Sequence, residues 1–156
     1  MASQSEKIVV RPLAAADLEA VIAIDTATAG RVRHGFFERR LAAAMGDPRR
    51  FIYVGAEAGG RLKGFALVHL LAGEYGVAEE IAVLDAISVE PDAQGHGIGT
   101  ALMARIDEVM RDKNIHEMRT QSPWTSHKLL GFLEEAGFKI APWLVLSRDV
   151  GRAADW

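Results

Sequence analysis

The sequence predicts a single α/β domain, of the α+β kind, in which a mixed sheet carries helices on both faces. Its 156 residues suffice for one domain with a core of ordinary size and leave no room for a second. Runs of aromatic and branched residues alternate with segments of helical periodicity in the order βααβββαβαβ. The predicted domain therefore spans residues 1–156, with a core from about 7 to 149.

The first half of the chain predicts a strand, two helices and a hairpin. Residues 7–11 form a short apolar run that a proline ends, because proline cannot donate to a strand ladder. Apolar residues then recur at helical spacing within 18–22 and again within 37–46. Two runs rich in aromatic and branched residues, 51–57 and 62–70, flank a glycine turn, which predicts a hairpin.

The second half predicts two further helices between strands. An apolar run at 81–89 precedes the clearest helix, which carries apolar residues on one face: Leu102, Met103, Ile106, Val109 and Met110. A strand at 115–120 and a helix closed by Gly137 follow, since glycine is the usual C-terminal cap. The last strand is predicted at 143–149, and the end of the chain beyond it is predicted to be loose.

Composition excludes several classes of protein. The 18 Lys and Arg against 21 Asp and Glu give a net charge of −3, without the basic excess that nucleic-acid binding needs. The absence of cysteine excludes disulfides, thiolate zinc sites and a cysteine nucleophile. No histidine pair has ligand spacing, which predicts no metal. No apolar stretch approaches the roughly 20 residues of a membrane span, and no signal peptide is seen, so a cytoplasmic location is predicted.

The segment that carries chemistry is a glycine loop at 87–100, which leads from a strand into the strong helix. The first amides of a helix lack partners within the helix and carry its positive dipole end, and glycines let an anion approach them closely. The spacing predicts a phosphate cradle, with an ordinary strand-to-helix turn as the alternative. The dinucleotide-fold and P-loop motifs both fail, because position 100 is Thr and no Gly-Lys-Ser/Thr is present.

This loop resembles the signature of the GNAT superfamily of N-acetyltransferases, Gln/Arg-x-x-Gly-x-Gly/Ala after a strand ending in Val-x-Pro. The matching residues are Val89, Pro91, Gln94, Gly97 and Gly99. Residues 132–138 are similar to the superfamily's closing Phe-Tyr-x-x-x-Gly-Phe, so the resemblance covers nearly the whole chain. It implies a mixed, mostly antiparallel central sheet of six to seven strands flanked by about four helices.

The resemblance also implies an activity and a binding site. The activity is transfer of acetyl from acetyl-CoA to a primary amine of a small molecule or peptide, by direct attack in a ternary complex. The implied contacts to the pantetheine arm come from the backbone of Ile87, Ser88 and Val89 and from Ser126, at the position of a frequent Asn. The implied pyrophosphate contacts come from the loop and first helical turn: Gln94, Gly95, His96, Gly97, Ile98, Gly99 and Thr100.

One departure from the superfamily opens an alternative function. Leu133 occupies the position at which many members carry a tyrosine, thought to protonate the leaving thiolate. A thiol with a pKa near 8.5 leaves as thiolate at neutral pH, so an acid is helpful rather than required. The competing hypothesis is a non-catalytic acyl-CoA-binding or sensing domain. The sequence leaves open whether the chain forms a homodimer.

Attack on a thioester needs a neutral amine, and the predicted proton acceptors are two carboxylates. Asp85 is the first choice because it lies inside an apolar run, where a charge is costly without a task or a partner. Strand alternation predicts one face shared by residues 79, 81, 83, 85, 87 and 89. Glu80 is the second choice, if a β-bulge turns it onto that face. The alternative for both is a salt bridge with the arginine-rich helix.

Charge distribution predicts the kind of acceptor. Residues 64–104 contain six carboxylates and no Lys or Arg, and a negative cleft attracts cations, which favours a positively charged amine. Residues 31–50 contain six Arg against Glu38 and Asp47. If those arginines face the cleft, an amine that also bears a carboxylate would fit instead.

Overall fold

The computed structural model describes residues 6–72 and 79–151, in which five strands form one mixed sheet. The strands are β1 (Val9–Pro12), β2 (Phe51–Ala58), β3 (Arg61–Leu71), β4 (Ile81–Val89) and β5 (Met118–Thr120). They lie side by side in chain order; the first four are antiparallel, and β5 runs parallel to β4. The sheet is therefore mixed and mostly antiparallel, as predicted.

Four helices accompany these strands: α1 (Leu18–Ala29), α2 (His34–Gly46), α3 (Ile98–Asp112) and α4 (His127–Glu135). Short 3-10 turns precede α1, β2 and the glycine loop, at Ala15–Asp17, Pro48–Arg50 and Pro91–Ala93. The chain divides into two compact units, 1–123 and 124–156, and the whole sheet belongs to the first. The single domain expected from the length stays a prediction.

The predicted number of strands is wrong, because the strand expected at 143–149 does not form. The described residues after α4 adopt no regular structure, and their large apolar side chains, including Trp143, Leu144 and Leu146, are exposed. A strand forms only where a neighbour accepts its backbone hydrogen bonds, and the described part of the second unit contains only α4 as a regular element. The apolar run alone therefore does not produce a strand. Residues 152–156, most of the end predicted to be loose, lie outside the described residues.

Alternate residues of the central strands supply two apolar layers in the first unit. Tyr53, Phe65 and Leu67 pack with α1 and α2, where the Phe37 and Phe65 rings meet edge to face at 5.5 Å. The opposite face is covered by α3, which packs on β2, β3 and β4. The buried residues on that side of the helix are Ile98, Leu102, Met103, Ile106 and Met110. The predicted placement of helices on both faces is confirmed for the first unit.

In the second unit, α4 ends as the sequence predicts. Gly137 has φ of 96°, a left-handed conformation that glycine adopts without a steric penalty. The amide of Gly137 donates to the carbonyl of Glu134 at 3.0 Å, and the amide of Phe138 donates to the carbonyl of Leu133 at 2.9 Å. This pair of bonds is a Schellman motif, and it satisfies carbonyls that the helix end leaves open.

No helix in the described ranges 6–72 and 79–151 is long and apolar enough to cross a bilayer.

Arg11 joins β1 to β2 and to the turn before α1. Its two terminal nitrogens donate to the two carboxylate oxygens of Asp17, each at 2.8 Å, and its Nε donates to Glu57 at 2.9 Å. The Asp17 carboxylate also accepts a hydrogen bond from the amide of Ala14 at 2.7 Å. The hydrogen bonds from Arg11 hold the pKa of Asp17 below its usual value, because they stabilise the ionised carboxylate.

Replacing Asp17 with Asn should destabilise the protein in a pH-dependent way. A carboxylate whose pKa is lowered in the folded state adds stability above its unfolded pKa and loses it as the pH falls through the folded value. We expect Asp17→Asn to lower the free energy of unfolding by about 1–2 kcal/mol at pH 7, and the difference should shrink below about pH 4. Urea denaturation from pH 3 to 7 measures this. Asp47→Asn, at an exposed aspartate, is the control and should show no such trend. A difference independent of pH would contradict the assignment.

Candidate functional site

Strand β4 loses its partner on one edge halfway along its length. Ala82 to Leu84 pair with β5, whereas the other edge of β4 continues to pair with β3 as far as Val89. The Thr120 hydroxyl donates to the carbonyl of Leu84 at 2.9 Å, at the point where the two strands separate. Beyond it, no described strand pairs with residues 85–89 on that edge. Their peptide groups form an open sheet edge that an extended ligand can pair with.

The glycine loop folds back on the end of β4. The side-chain amide of Gln94 donates to the carbonyl of Val89 at 3.0 Å, which closes the loop. Gly95 and Gly97 have φ of 80° and 86°, in the left-handed region that favours glycine. A Cβ built on either glycine meets no heavy atom within 4 Å, so the space in front of the loop is open.

Helix α3 starts directly from this loop, with Gly97 as its N-cap. The first bond within the helix runs from the amide of Ala101 to the carbonyl of Gly97 at 2.9 Å, so the amides of residues 98–100 precede the helical ladder. Buried Ile98 anchors this start against β3. Gly64 permits the contact, because a Cβ there would lie 2.9 Å from the Ile98 side chain. The result is an exposed cradle of amides at the positive end of a helix dipole, as the spacing predicts.

Glu90, the carboxylate next to the cradle, is neutralised by β3. Its Oε2 accepts from Lys63 at 3.0 Å and from Arg61 at 3.1 Å, and its amide donates to the Lys63 carbonyl at 2.8 Å. His96 in the loop lies with its Nδ1 3.3 Å from the carbonyl of Ala93. Glu90 therefore adds little repulsion for an anion at the cradle.

A β-bulge at Asp85 changes the faces of β4. Val68 pairs with Leu84 and Leu67 pairs with Ala86, so Asp85 is an extra residue, and Asp85 and Ala86 both face the layer of α1 and α2. The alternation predicted for β4 is wrong from this point. Ser88 faces α1, where its hydroxyl lies 2.7 Å from that of Thr28. Residues 87 and 89 turn to the α3 side.

Asp85 lies in a cluster of polar side chains on the face of the sheet that carries α1 and α2. Its Oδ2 accepts a hydrogen bond from Nη1 of Arg40 on α2 at 3.0 Å and lies 2.6 Å from Nδ1 of His69 on β3. The Asp85 side chain is only 11% exposed. The salt bridge with the arginine-rich helix, predicted as the alternative to a role as proton acceptor, is thus observed between Asp85 and Arg40. Its role as a base stays a prediction.

Two aromatic residues enclose this cluster. The Arg40 guanidinium stacks on the Phe36 ring, 4.9 Å from its centroid. The Tyr53 hydroxyl is buried and has no hydrogen-bond partner among the described residues. Burial raises the pKa of Tyr53 to about 12, with Arg40 opposing the shift and Asp85 adding to it. Tyr53 is therefore a neutral phenol at physiological pH.

The other predicted catalytic carboxylate lies elsewhere. Glu80 is exposed immediately before β4, and the bulge that would turn such a residue lies at Asp85 instead. Glu80 lines a cavity of 260 Å³ with five other residues: Glu79, Ile81, Asn114, His116 and Glu117. In the described ranges 6–72 and 79–151, no three His, Asp or Glu side chains group as metal ligands would.

Two predicted residues belong to the second unit. Ser126 is the N-cap of α4, and its carbonyl accepts from the amide of Leu130 at 2.9 Å. Leu133 is the buried residue of the same helix and has no proton to donate. The implied contact of Ser126 with a pantetheine arm stays a prediction.

Sequence reasoning missed His69 and Tyr53. His69 is the one ionisable residue between Phe65 and Leu71, an otherwise apolar stretch of β3. Asp85 was selected because it is a charged residue in an apolar strand, and the same criterion would have selected His69. His69 pairs with Val83, so Asp85, two residues further along β4, lies on the same face, and only the pairing of β3 with β4 brings the two side chains together.

Known proteins resemble the chain in sequence family and in fold. The acetyltransferase (GNAT) family model matches residues 18–138, whereas no curated protein matches the sequence. The structure is similar to that of a ribosomal-protein-alanine N-acetyltransferase from Brucella melitensis biovar Abortus 2308, with TM-score 0.74, 20% identity and coverage of 93% of this chain and 100% of that one.

Two solved aminoglycoside N-acetyltransferases show the same likeness. AAC(6')-Iy in complex with CoA has TM-score 0.79 and 14% identity, with coverage of 97% of this chain and 100% of that one. The soil-metagenome enzyme meta-AAC0020 in complex with sisomicin has TM-score 0.72 and 16% identity, with coverage of 93% and 97%. These likenesses concern the fold, and the family model spans more than half of the sequence. The chain belongs to the GNAT acetyltransferase family.

Proposed function

We propose that the protein transfers an acetyl group from acetyl-CoA to a primary amine, by direct attack within a ternary complex. The observation that carries the proposal is the pairing of two features at the end of β4. These are an open strand edge beyond Leu84 and an exposed amide cradle at the start of α3. An extended arm that ends in phosphates fits the two features together.

The residues present fit acetyl-CoA. The amides of residues 94–100 would hold the pyrophosphate, since Gly95 and Gly97 leave the approach to the cradle free of side chains. The open edge at Ile87, Ser88 and Val89 would pair with the amides of the pantetheine arm, as an added strand does.

The bound acetyl-CoA supplies an activated thioester, and the chain must supply a neutral amine. An amine with a pKa near 10.4 is unprotonated in only about one molecule in 2,500 at pH 7, so a proton acceptor in the site accelerates the reaction. The neutral amine nitrogen bonds to the carbonyl carbon and loses one proton to solvent, the carbon–sulfur bond breaks, and the coenzyme leaves as a thiolate. A thiol pKa near 8.5 makes this departure feasible without an acid, which is consistent with Leu133 at the usual tyrosine position.

Asp85 serves this proton transfer better than Glu80. It is the first residue of β4 beyond the paired segment, whereas Glu80 lies before the strand and lines a separate cavity. A buried carboxylate held by defined partners has a fixed geometry, which a solvated glutamate does not have.

A positively charged amine is the proposed acceptor. The prediction of a cationic acceptor came from six carboxylates in residues 64–104. Two of these are paired with cations: Asp85 with Arg40, and Glu90 with Lys63 and Arg61. A third, Glu74, lies outside the described residues. Glu79, Glu80 and Asp92 have no described ion pair and retain their negative field. The aminoglycosides named for two of the similar structures are polycationic amines, and the ribosomal protein named for another presents a peptide amine.

An assay of free thiol with acetyl-CoA and a panel of amines tests the activity and the acceptor class together. Two amine sets of equal pKa, one with an additional carboxylate, are compared at low and high salt. We expect faster turnover with the cationic set, and an advantage that falls as salt screens the field. Preference for the carboxylate-bearing set would assign acceptor choice to the arginines of residues 31–50. Tight CoA binding without turnover for any amine would favour the sensing domain.

Replacing Gly97 with Val should abolish CoA binding without unfolding the protein. A branched side chain there would occupy the open space in front of the cradle. Gly30→Val is the matched control, because Gly30 also has positive φ, at 72°, and open space around its Cβ position, and it caps the C-terminal end of α1, outside the glycine loop. Both variants should lose roughly 1–2 kcal/mol of stability to backbone strain.

Calorimetry with CoA separates the two variants. We expect Gly97→Val to weaken binding by more than about tenfold, which corresponds to 1.4 kcal/mol, and Gly30→Val to bind as the wild type does. Equal affinity for both would mean that the glycine loop is only a turn.

A further inference from the structure

His69 and Asp85 form a hydrogen-bonded pair of which the proposed function uses only Asp85. Nδ1 of His69 on β3 lies 2.6 Å from Oδ2 of Asp85 on the neighbouring strand β4. The imidazole side chain is 23% exposed, whereas the carboxylate is 11% exposed. The histidine is thus the more accessible member of the pair.

The pair selects one form of the imidazole ring. An ionised carboxylate only accepts hydrogen bonds, so the hydrogen of neutral His69 resides on Nδ1 and the lone pair resides on Nε2. Among the described residues nothing bonds to Nε2. A fixed tautomer with a free lone pair is the arrangement that a general base needs.

Asp85 itself is poorly suited to take a proton. Its Oδ2 already faces two donors, Nη1 of Arg40 at 3.0 Å and Nδ1 of His69. These two hydrogen bonds occupy the lone pairs of that oxygen, which is therefore not free to receive a proton. Carboxylates are also weak bases at pH 7, with an ordinary pKa near 3.9 against about 6.5 for imidazole.

The position of the pair fits the thioester end of the proposed acetyl-CoA site. The glycine loop meets β4 at Val89, and the open edge leads back from there to Asp85, about 13 Å at the usual rise of a strand. A pyrophosphate at the loop and an arm along this edge would direct the acyl group toward Asp85 and its neighbour on β3.

We infer that His69 is the proton acceptor for the amine and that Asp85 is a positioning residue acting through it. The inference rests on the proposed function. A proton passes from the substrate ammonium to Nε2, leaving a neutral amine and an imidazolium that Asp85 stabilises. The amine nitrogen bonds to the carbonyl carbon, the carbon–sulfur bond breaks to release thiolate, and the proton that the nitrogen loses on becoming an amide passes to solvent. The imidazolium then returns its proton to solvent.

Several other charged groups surround His69 and enter its pH dependence. Arg40 on α2 contacts the same oxygen of Asp85 as His69 does, and burial raises the pKa of Tyr53 on β2 to about 12. Arg49 and Arg50 lie in the turn Pro48–Arg50, which packs on β3, and are exposed. On α1, which also packs on β3, buried Asp25 is paired with Arg33. Asp85 is therefore the one described carboxylate in direct contact with the ring.

The test compares kcat as a function of pH for the wild type, His69→Asn and Asp85→Asn, with acetyl-CoA and an amine of pKa near 10 from the panel. In His69→Asn the side-chain amide nitrogen replaces Nδ1 as the donor to Asp85, and Nε2 is lost. His116→Asn is the matched control, at an exposed histidine away from the cluster. CoA affinity by calorimetry and the urea midpoint report whether each variant is folded.

We expect the pH profiles of kcat for the wild type and His116→Asn to share an acidic limb, in which kcat falls because a protonated His69 cannot accept the proton of the amine. His69→Asn should lower kcat at pH 7 by roughly 10²-fold, the usual size of a general-base effect, abolish that limb and leave CoA affinity unchanged. Asp85→Asn should lower kcat and keep the limb at a lower pH, because the carboxylate no longer stabilises the imidazolium. His69→Gln serves as a second variant if His69→Asn is unstable.

Two outcomes would overturn the inference in different ways. If His69→Asn keeps the wild-type rate and limb while Asp85→Asn loses both, Asp85 is itself the base, and the proposed acetyl transfer stands. If the wild type binds CoA and acetylates no amine, the proposed function fails and the inference fails with it.

Discussion

The site depends on the interruption of β4 between Leu84 and Asp85. Up to Leu84 the strand pairs on both edges, and beyond it β5 has separated while β3 continues to pair. Backbone groups without a partner in a sheet can pair with an added strand, so this separation leaves an open edge on β4 at residues 85–89. At the same place a β-bulge turns residues 87 and 89 away from the face that carries Asp85. The interruption therefore sets both the open edge and the division of β4 between the two faces of the sheet.

The cradle and the cluster are held by opposite faces of the same sheet. Ile98 packs against β3 through the gap left by Gly64, which fixes the start of α3 at the end of β4. On the other face, Arg40 reaches Asp85 from α2 and stacks on Phe36. A buried ion pair contributes little net stability, because desolvation offsets the attraction, but it orients its members. Arg40 and His69 thus fix the direction of a carboxylate that a plain strand would leave free to rotate.

The sequence by itself determined the α/β fold class, the order of elements through α4 and the glycine cradle. Local physics suffices for these features. Helical periodicity, Gly137 at a left-handed position and glycines before a strong helix act over a few residues, and the structure contains each of them. The GNAT family, too, followed from short motifs within single segments.

Tertiary structure decided the rest. Residues 143–149 have the composition of a strand, yet none forms there, because a strand needs a partner supplied by distant residues. The bulge at Asp85 is an offset between β3 and β4, and period-2 alternation within one strand contains no record of it. The contact of His69 with Asp85 depends on the pairing of β3 with β4, which joins residues 16 apart in the chain. Patterns along a chain report local preference, whereas pairing between strands is decided by what else the fold brings alongside.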